Sequence, residues 1–187
     1  MTKTLTYTKW LEAAYLEFAC CGPEFSLKAL ARKANLPRAT LYYHFDNKEH
    51  LINKLLVYHR NQIEVYLEEL RNEVKILIPD LYEVMCKYKE GILFHRQLLF
   101  HCHVKPFYDL YREANEVSLH ILLPFIKATF ETDKSDQEII HFYHTLTDAW
   151  YIRLDINNLS VPNMIHLAEE ILAHTLGLYS NEGVISK

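Results

Sequence analysis

Glycine is scarce in this chain, with four among 187 residues, and that scarcity argues against the glycine-rich loops that cradle nucleotide phosphates. No G-x-S-x-G or H-E-x-x-H run occurs, so the familiar serine and zinc frameworks for hydrolysis are missing. Long apolar runs are missing too. Nothing approaches the ~18 uninterrupted apolar residues of a membrane span, and the N-terminus MTKTLTYTKW lacks the apolar stretch of a signal peptide. A cytoplasmic protein with no membrane partner is expected. The four cysteines, Cys20, Cys21, Cys86 and Cys102, show no paired metal-ligand spacing, and the two sequence neighbours are poorly placed for an ordinary disulfide. Reduced thiols follow, with Cys86 and Cys102 read as small buried hydrophobes. Alternation of apolar and polar residues never persists between turn signals, which leaves no signature for strands.

What the chain does have is helical periodicity. Half of its residues are hydrophobic, enough for a core, and the length allows one small domain and one larger one. After Pro79, helical segments are expected near 80–89, 91–103, 106–131, 136–157 and 161–179, broken by Gly91, Pro106, the stretch from Asp133 to Ser135, and Pro162. Pro124 lacks the N–H that would bond the carbonyl of His120 and is expected to kink its helix. Fraying is expected from Ser180. The sum is an all-α fold of about nine helices.

Residues 26 to 51, SLKALARKANLPRATLYYHFDNKEHL, carry the most informative punctuation. Ser26 is placed to cap a helix in which Leu27, Leu30, Ala31 and Ala34 form an apolar stripe. Asn35 tolerates the left-handed exit from that helix, and Pro37 presets φ for a second helix of about two turns. On it, Leu41 and Phe45 fall on one side, with Ala39 and Tyr43 opposite. Arg38 leads, Thr40 and Tyr42 flank the outer face and His44 borders the buried side, a mixture suited to phosphates and base edges. Asp46 is expected to cap a long helix to about Leu77, whose first turn offers Lys48 and backbone amides to an anion. Leu51, Leu55, Tyr58, Tyr66 and Leu70, with Gln62 as a polar exception, mark its apolar face.

Ala31, Leu36, the run from Thr40 to Phe45, and the run from Lys48 to Leu51 resemble the DNA-binding domain of the TetR family. The resemblance covers roughly residues 5 to 55 and includes a preceding helix with Trp10, Ala13, Ala14 and Phe18 at apolar positions. Two positions depart from the family pattern: Asn35 stands where glycine is usual, and Pro37 where a small capping residue is usual. By the resemblance, Arg38 and Tyr43 approach bases, Ala39 touches a thymine methyl, and Thr40, Tyr42, His44 and Lys48 hold phosphates. Ser26 and Lys28 complete the expected DNA-facing set. The resemblance further implies a DNA-binding domain over 1–50 and a helical ligand-binding and dimerisation domain over 51–187. The long helix then transmits a ligand's effect to the DNA.

Charge agrees once the chain is divided. Through Arg60 nine lysines and arginines face five acids, a balance of +4, whereas the remainder holds eleven against nineteen, −8. A basic head on an acidic body steers a molecule onto a polyanion in one orientation.

The second half is rich in aromatic residues. Phe94, Phe100, Tyr108, Tyr111, Phe125, Tyr143 and Trp150, with His120, are the candidate lining of a pocket for a lipophilic or aromatic small molecule. Phe142, Leu146, Leu167, Ile171, Leu172 and Thr175 give the last two helices stripes wide enough to pair with a second copy. Eleven histidines leave an alternative open, a helical metal-dependent enzyme or metal sensor using His95, His101, His103, His141 and His144, although their spacing matches no zinc signature. The expected protein is a non-enzymatic homodimeric repressor without metal or cofactor. It binds a palindromic DNA operator until a small-molecule effector releases it.

Overall fold

The computed structural model describes residues 3–177; the fraying expected from Ser180 onward lies outside them. Among the described residues there are nine α-helices and no strand: α1 (Lys3–Cys21), α2 (Leu27–Ala34), α3 (Arg38–Leu41), α4 (Lys48–Glu73), α5 (Asp80–Lys87), α6 (Lys89–Phe100), α7 (Lys105–Phe130), α8 (Asp136–Arg153) and α9 (Val161–Gly177), with a single 3-10 turn, Gly22–Glu24, after α1. Gly91, expected as a break, lies inside α6, and the break falls at Tyr88. Proline 124 lies inside α7, which continues through it.

Two compact units divide the chain, one of residues 1–68 and 88–114, the other of 69–87 and 115–187. The division falls inside α4 and inside α7. It differs from the division by expected function at residue 50, because α6 and the start of α7 cluster with the helix-turn-helix.

The first unit is built on α1, which packs against α2 and α6. Trp10, Leu11, Ala14, Tyr15, Phe18 and Ala19 recur every three to four residues and are all buried, so one face of α1 is continuous core. Phe94 of α6 stacks on Phe18 at 4.2 Å and on Tyr15 at 4.6 Å between ring centroids. Removing each such ring from water contributes roughly 1.5–3 kcal/mol. Gly22 ends α1 at φ +66°, and a Cβ there would sit 2.6 Å from Nε2 of His101 and 2.9 Å from Oε1 of Gln97. The positive φ favours glycine, whereas the two near atoms are side-chain ends that can shift.

Inside this apolar stack runs a polar chain. The Tyr15 hydroxyl lies 2.8 Å from Nδ1 of His59, and Nε2 of His59 lies 3.3 Å from Nδ1 of His95. Both imidazoles are buried, at 2% and 5% exposure. Burial, and then the neighbouring His95, hold the pKa of His59 well below the ordinary histidine value. Burial likewise pushes the Tyr15 hydroxyl upward, beyond its ordinary range.

In the second unit α9 packs against α5 and α8. Its core includes Leu81, Leu122, Ile126, Ile139, Trp150, Met164 and Ile171, and the Trp150 indole donates to the Met164 carbonyl at 3.1 Å. Helix α8 starts on a capping box, in which Ser135 accepts from the Glu138 amide and the Glu138 carboxylate accepts from the Ser135 amide. Cys102 is exposed and Cys86 half-buried, so neither is the buried hydrophobe expected from the sequence.

Candidate nucleic-acid interface

The helix-turn-helix takes its shape from local choices in the sequence. Ser26 Oγ accepts from the Ala29 amide at 3.4 Å and opens α2; Asn35 closes it in the left-handed region at φ 50°, ψ 46°. Its amide bonds back to the helix carbonyls, the ending that asparagine or glycine permits. Leu30, Leu41, Phe45 and Leu51 are at most 1% exposed and form the apolar seat, with Tyr7 stacked on Phe45 at 5.3 Å.

On that seat α3 is shorter than the expected two turns. It spans four residues, after which the Leu41 carbonyl accepts from both His44, at 2.9 Å, and Phe45, at 3.0 Å. The backbone therefore tightens as soon as Leu41 and Phe45 have reached the core. Thr40 fixes the start of the helix. Its hydroxyl donates to the Pro37 carbonyl at 2.8 Å and accepts from the buried Trp10 indole at 3.2 Å. One hydroxyl has one proton to give, so a phosphate contact through that proton competes with the Pro37 bond.

Outward from this seat stand Arg38, Ala39, Tyr42 and Tyr43, all exposed. Tyr43 is 79% exposed, the most among the large apolar or aromatic side chains of the described residues. Its ring and hydroxyl therefore stand clear of the core, with an apolar face and a polar tip both open to a partner. Arg38 donates to the Tyr42 hydroxyl at 3.1 Å and its guanidinium lies 5.9 Å from the Tyr42 ring. His44 is half-buried, edge-on to Tyr7, and Ser26 and Lys28 are exposed.

The start of α4 corrects one expectation. Asn47, not Asp46, is the cap: its Oδ1 accepts from the His50 amide at 2.8 Å, while Asp46 pairs with the His50 ring at 3.1 Å. Both residue types cap helices, and sequence alone did not decide between adjacent candidates. Lys48 follows in the first turn with Nζ 4.8 Å from the Phe25 ring, an arrangement that packs its stem while leaving the ammonium at the edge of the face. Lys33, by contrast, is committed to the buried Glu17 carboxylate.

The remaining candidates are distributed rather than gathered. Of the eight pocket residues, Phe94, Phe100, Tyr108 and Tyr111 lie in the first unit and His120, Phe125, Tyr143 and Trp150 in the second. Phe94 is fully buried, Tyr111 packs on His95 at 4.8 Å, Phe100 is exposed under the Arg96 guanidinium, and Tyr108 is exposed. In the second unit burial pushes the Tyr143 hydroxyl up to about 12. Along α8 and α9, Phe142, Leu146, Leu167, Leu172 and Thr175 are half-buried, and Ile171 is buried. The histidines of the metal alternative do not converge. His95 is committed to His59, His101 and His103 lie together beyond α6, and His144 bonds Glu116 at 3.1 Å while His141 is exposed. Among the described residues no group of three or more His, Cys, Asp or Glu side chains is placed to hold a metal ion, which corrects that reading. No helix among the same residues is long and apolar enough to cross a membrane.

Comparison with known proteins agrees with this geometry. A sequence model described as bacterial regulatory proteins, tetR family, matches residues 11–55. Solved structures with the same fold include a transcriptional regulator of the TerR/AcrR family from Aquifex aeolicus, 22% identical over 93% of this chain and 99% of that one, at a TM-score of 0.58. The ketosteroid transcriptional regulator KstR2 of Mycobacterium tuberculosis is 15% identical over 91% of this chain and 93% of that one, also at 0.58. GusR of Salmonella enterica is 16% identical over 92% and 94%, at 0.56. No curated protein matches at a significant level. The matched segment, residues 11–55, is the helix-turn-helix itself and is similar to that of the tetR family of bacterial regulatory proteins, and over the rest of the chain the likeness to these regulators is one of fold.

Proposed function

We propose that this regulator is a cytoplasmic homodimeric repressor that binds a palindromic operator and leaves it when a small lipophilic or aromatic molecule enters the helical domain after residue 50. The observation that carries the DNA assignment is the outward face of α3, where Arg38, Ala39, Tyr42 and Tyr43 are exposed above a fully buried seat. In this reading Arg38 and Tyr43 read bases, Ala39 meets a thymine methyl, and Ser26, Lys28, Thr40, Tyr42, His44 and Lys48 hold the backbone.

A four-residue helix offers little contact area, so useful affinity calls for two copies in successive major grooves, roughly 34 Å apart. The half-buried apolar residues of α8 and α9 support that pairing. Support for a flat apolar effector comes from the aromatic side chains of the second unit and from the ketosteroid named for one structural relative. Selection from a random duplex library with the purified protein tests the reading. Enrichment of an inverted repeat is expected, and enrichment of nothing, or of a single half-site, refutes the operator model.

A further inference from the structure

We propose that Tyr42 is a positioning residue for Arg38: it aims the guanidinium that reads a base, and sequence preference depends on a hydroxyl that does not itself read DNA. The inference rests on the DNA-binding reading above and adds a role to it. Arg38 is the first residue of α3 and Tyr42 follows one helical turn later, so the two side chains share a face. The guanidinium donates to the Tyr42 oxygen at 3.1 Å.

An exposed arginine has rotamer freedom, part of which it loses when it docks on a base. Holding one N–H against Tyr42 removes part of that freedom before DNA arrives. Arginine has five N–H donors, so four remain, enough for the paired contact to guanine O6 and N7 that a planar fork makes. The Tyr42 ring itself is 48% exposed, so its hydroxyl is not fixed there by burial. No other hydrogen bond to the Arg38 guanidinium is seen among the described residues, whereas Lys33, nearby in sequence, is held by Glu17. A phenol that only gripped a phosphate would act differently, since backbone contacts strengthen all sequences alike.

The two roles separate in one experiment on the full-length protein. Affinity is measured for the selected operator and for each single-base variant of it, with the unsubstituted protein, Arg38→Ala, Tyr42→Phe and the double variant. Arg38→Ala is expected to reduce discrimination at one base pair by roughly tenfold or more. Tyr42→Phe is expected to reduce it at that same pair by roughly two- to tenfold, the range for one lost hydrogen bond, and to add nothing in the Arg38→Ala background. Tyr42→Phe that weakens every sequence alike with discrimination unchanged, or that lowers discrimination by a further full step in the double variant, overturns the inference. So does a change in preference on Arg38→Ala that Tyr42→Phe fails to share. Failure of the unsubstituted protein to select any site overturns the DNA-binding reading itself. Tyr42 is a surface residue, and unchanged circular dichroism and thermal midpoint verify that the variant is folded.

Discussion

Acidification should loosen the first unit through His59. This imidazole is 2% exposed and holds Tyr15 on one nitrogen and His95 on the other, while its folded pKa lies well below the ordinary value because the charged form is desolvated. The unfolded chain, by contrast, takes up a proton near pH 6.5. Above that pH neither state is charged and the stabilising arrangement is fully present. As pH falls below it the unfolded state gains a proton that the folded state refuses, so stability drops by up to about 1.4 kcal/mol per pH unit until the folded pKa is reached. Integrated from pH 7.5 to 5.5, the loss through this one residue is about 1.4 kcal/mol. That is a large share of the ~5–15 kcal/mol that separates folded from unfolded domains.

His59→Gln isolates the effect. Glutamine can accept from Tyr15 and donate to His95 but does not titrate. Urea unfolding followed by Trp10 fluorescence in a Trp150→Phe background, at matched protein concentration, reports the first unit. The curve of stability against pH for the glutamine variant should be flatter below pH 6.5 by about one proton. Parallel curves for the two proteins would show that His59 is protonated in the folded state, or that the Tyr15–His59–His95 chain opens readily to water, and would refute the argument.

Three further outcomes follow from the interface. Asn47→Ala should cost about 1 kcal/mol in thermal unfolding, the typical loss for a helix cap, whereas Asp46→Ala, which removes a partner of the His50 ring but not the cap, should cost less. Lys48→Ala should weaken binding on all sequences alike and reduce the slope of log affinity against log salt by about 1, as read by operator titration between low and physiological salt; an unchanged slope removes Lys48 from the phosphate contacts. If the proposed dimer pairs through α8 and α9, Leu146→Glu and Leu167→Glu should give a monomer in light scattering at micromolar concentration, because an unpaired carboxylate cannot be buried cheaply; a dimer that survives both changes places the interface elsewhere.

Local signals were readable from the residues because they act through the backbone nearby. Ser26, Asn35 and Pro37 dictate where α2 ends and α3 begins through caps and allowed φ alone, and the periodicity of Trp10, Ala14 and Phe18 gave the buried face of α1 without knowledge of what covers it. The same holds for the outward placement of Arg38, Ala39 and Tyr43, since a helix with Leu41 and Phe45 in the core has only one face left. Choices between near-equivalent neighbours were not readable: Asp46 and Asn47 are both good caps, and only the path of the chain into α4 selected Asn47.

Tertiary structure alone decided what meets across long separations in sequence. No pattern in α1 or α4 announces that Tyr15, His59 and His95, 44 and 36 residues apart, form one buried polar chain, because each is unremarkable on its own helix and a hydrogen bond between distant segments leaves no periodicity. The same blindness let His95 be grouped with His101, His103, His141 and His144 as a metal candidate. Histidine spacing along a chain constrains neither which imidazoles converge nor which already have partners. The sequence by itself therefore determined the helices, the two ends of α2 at Ser26 and Asn35 and the exposed face of α3, all set by interactions within a few residues. The fold decided which polar groups are buried together, Tyr15, His59 and His95 among them.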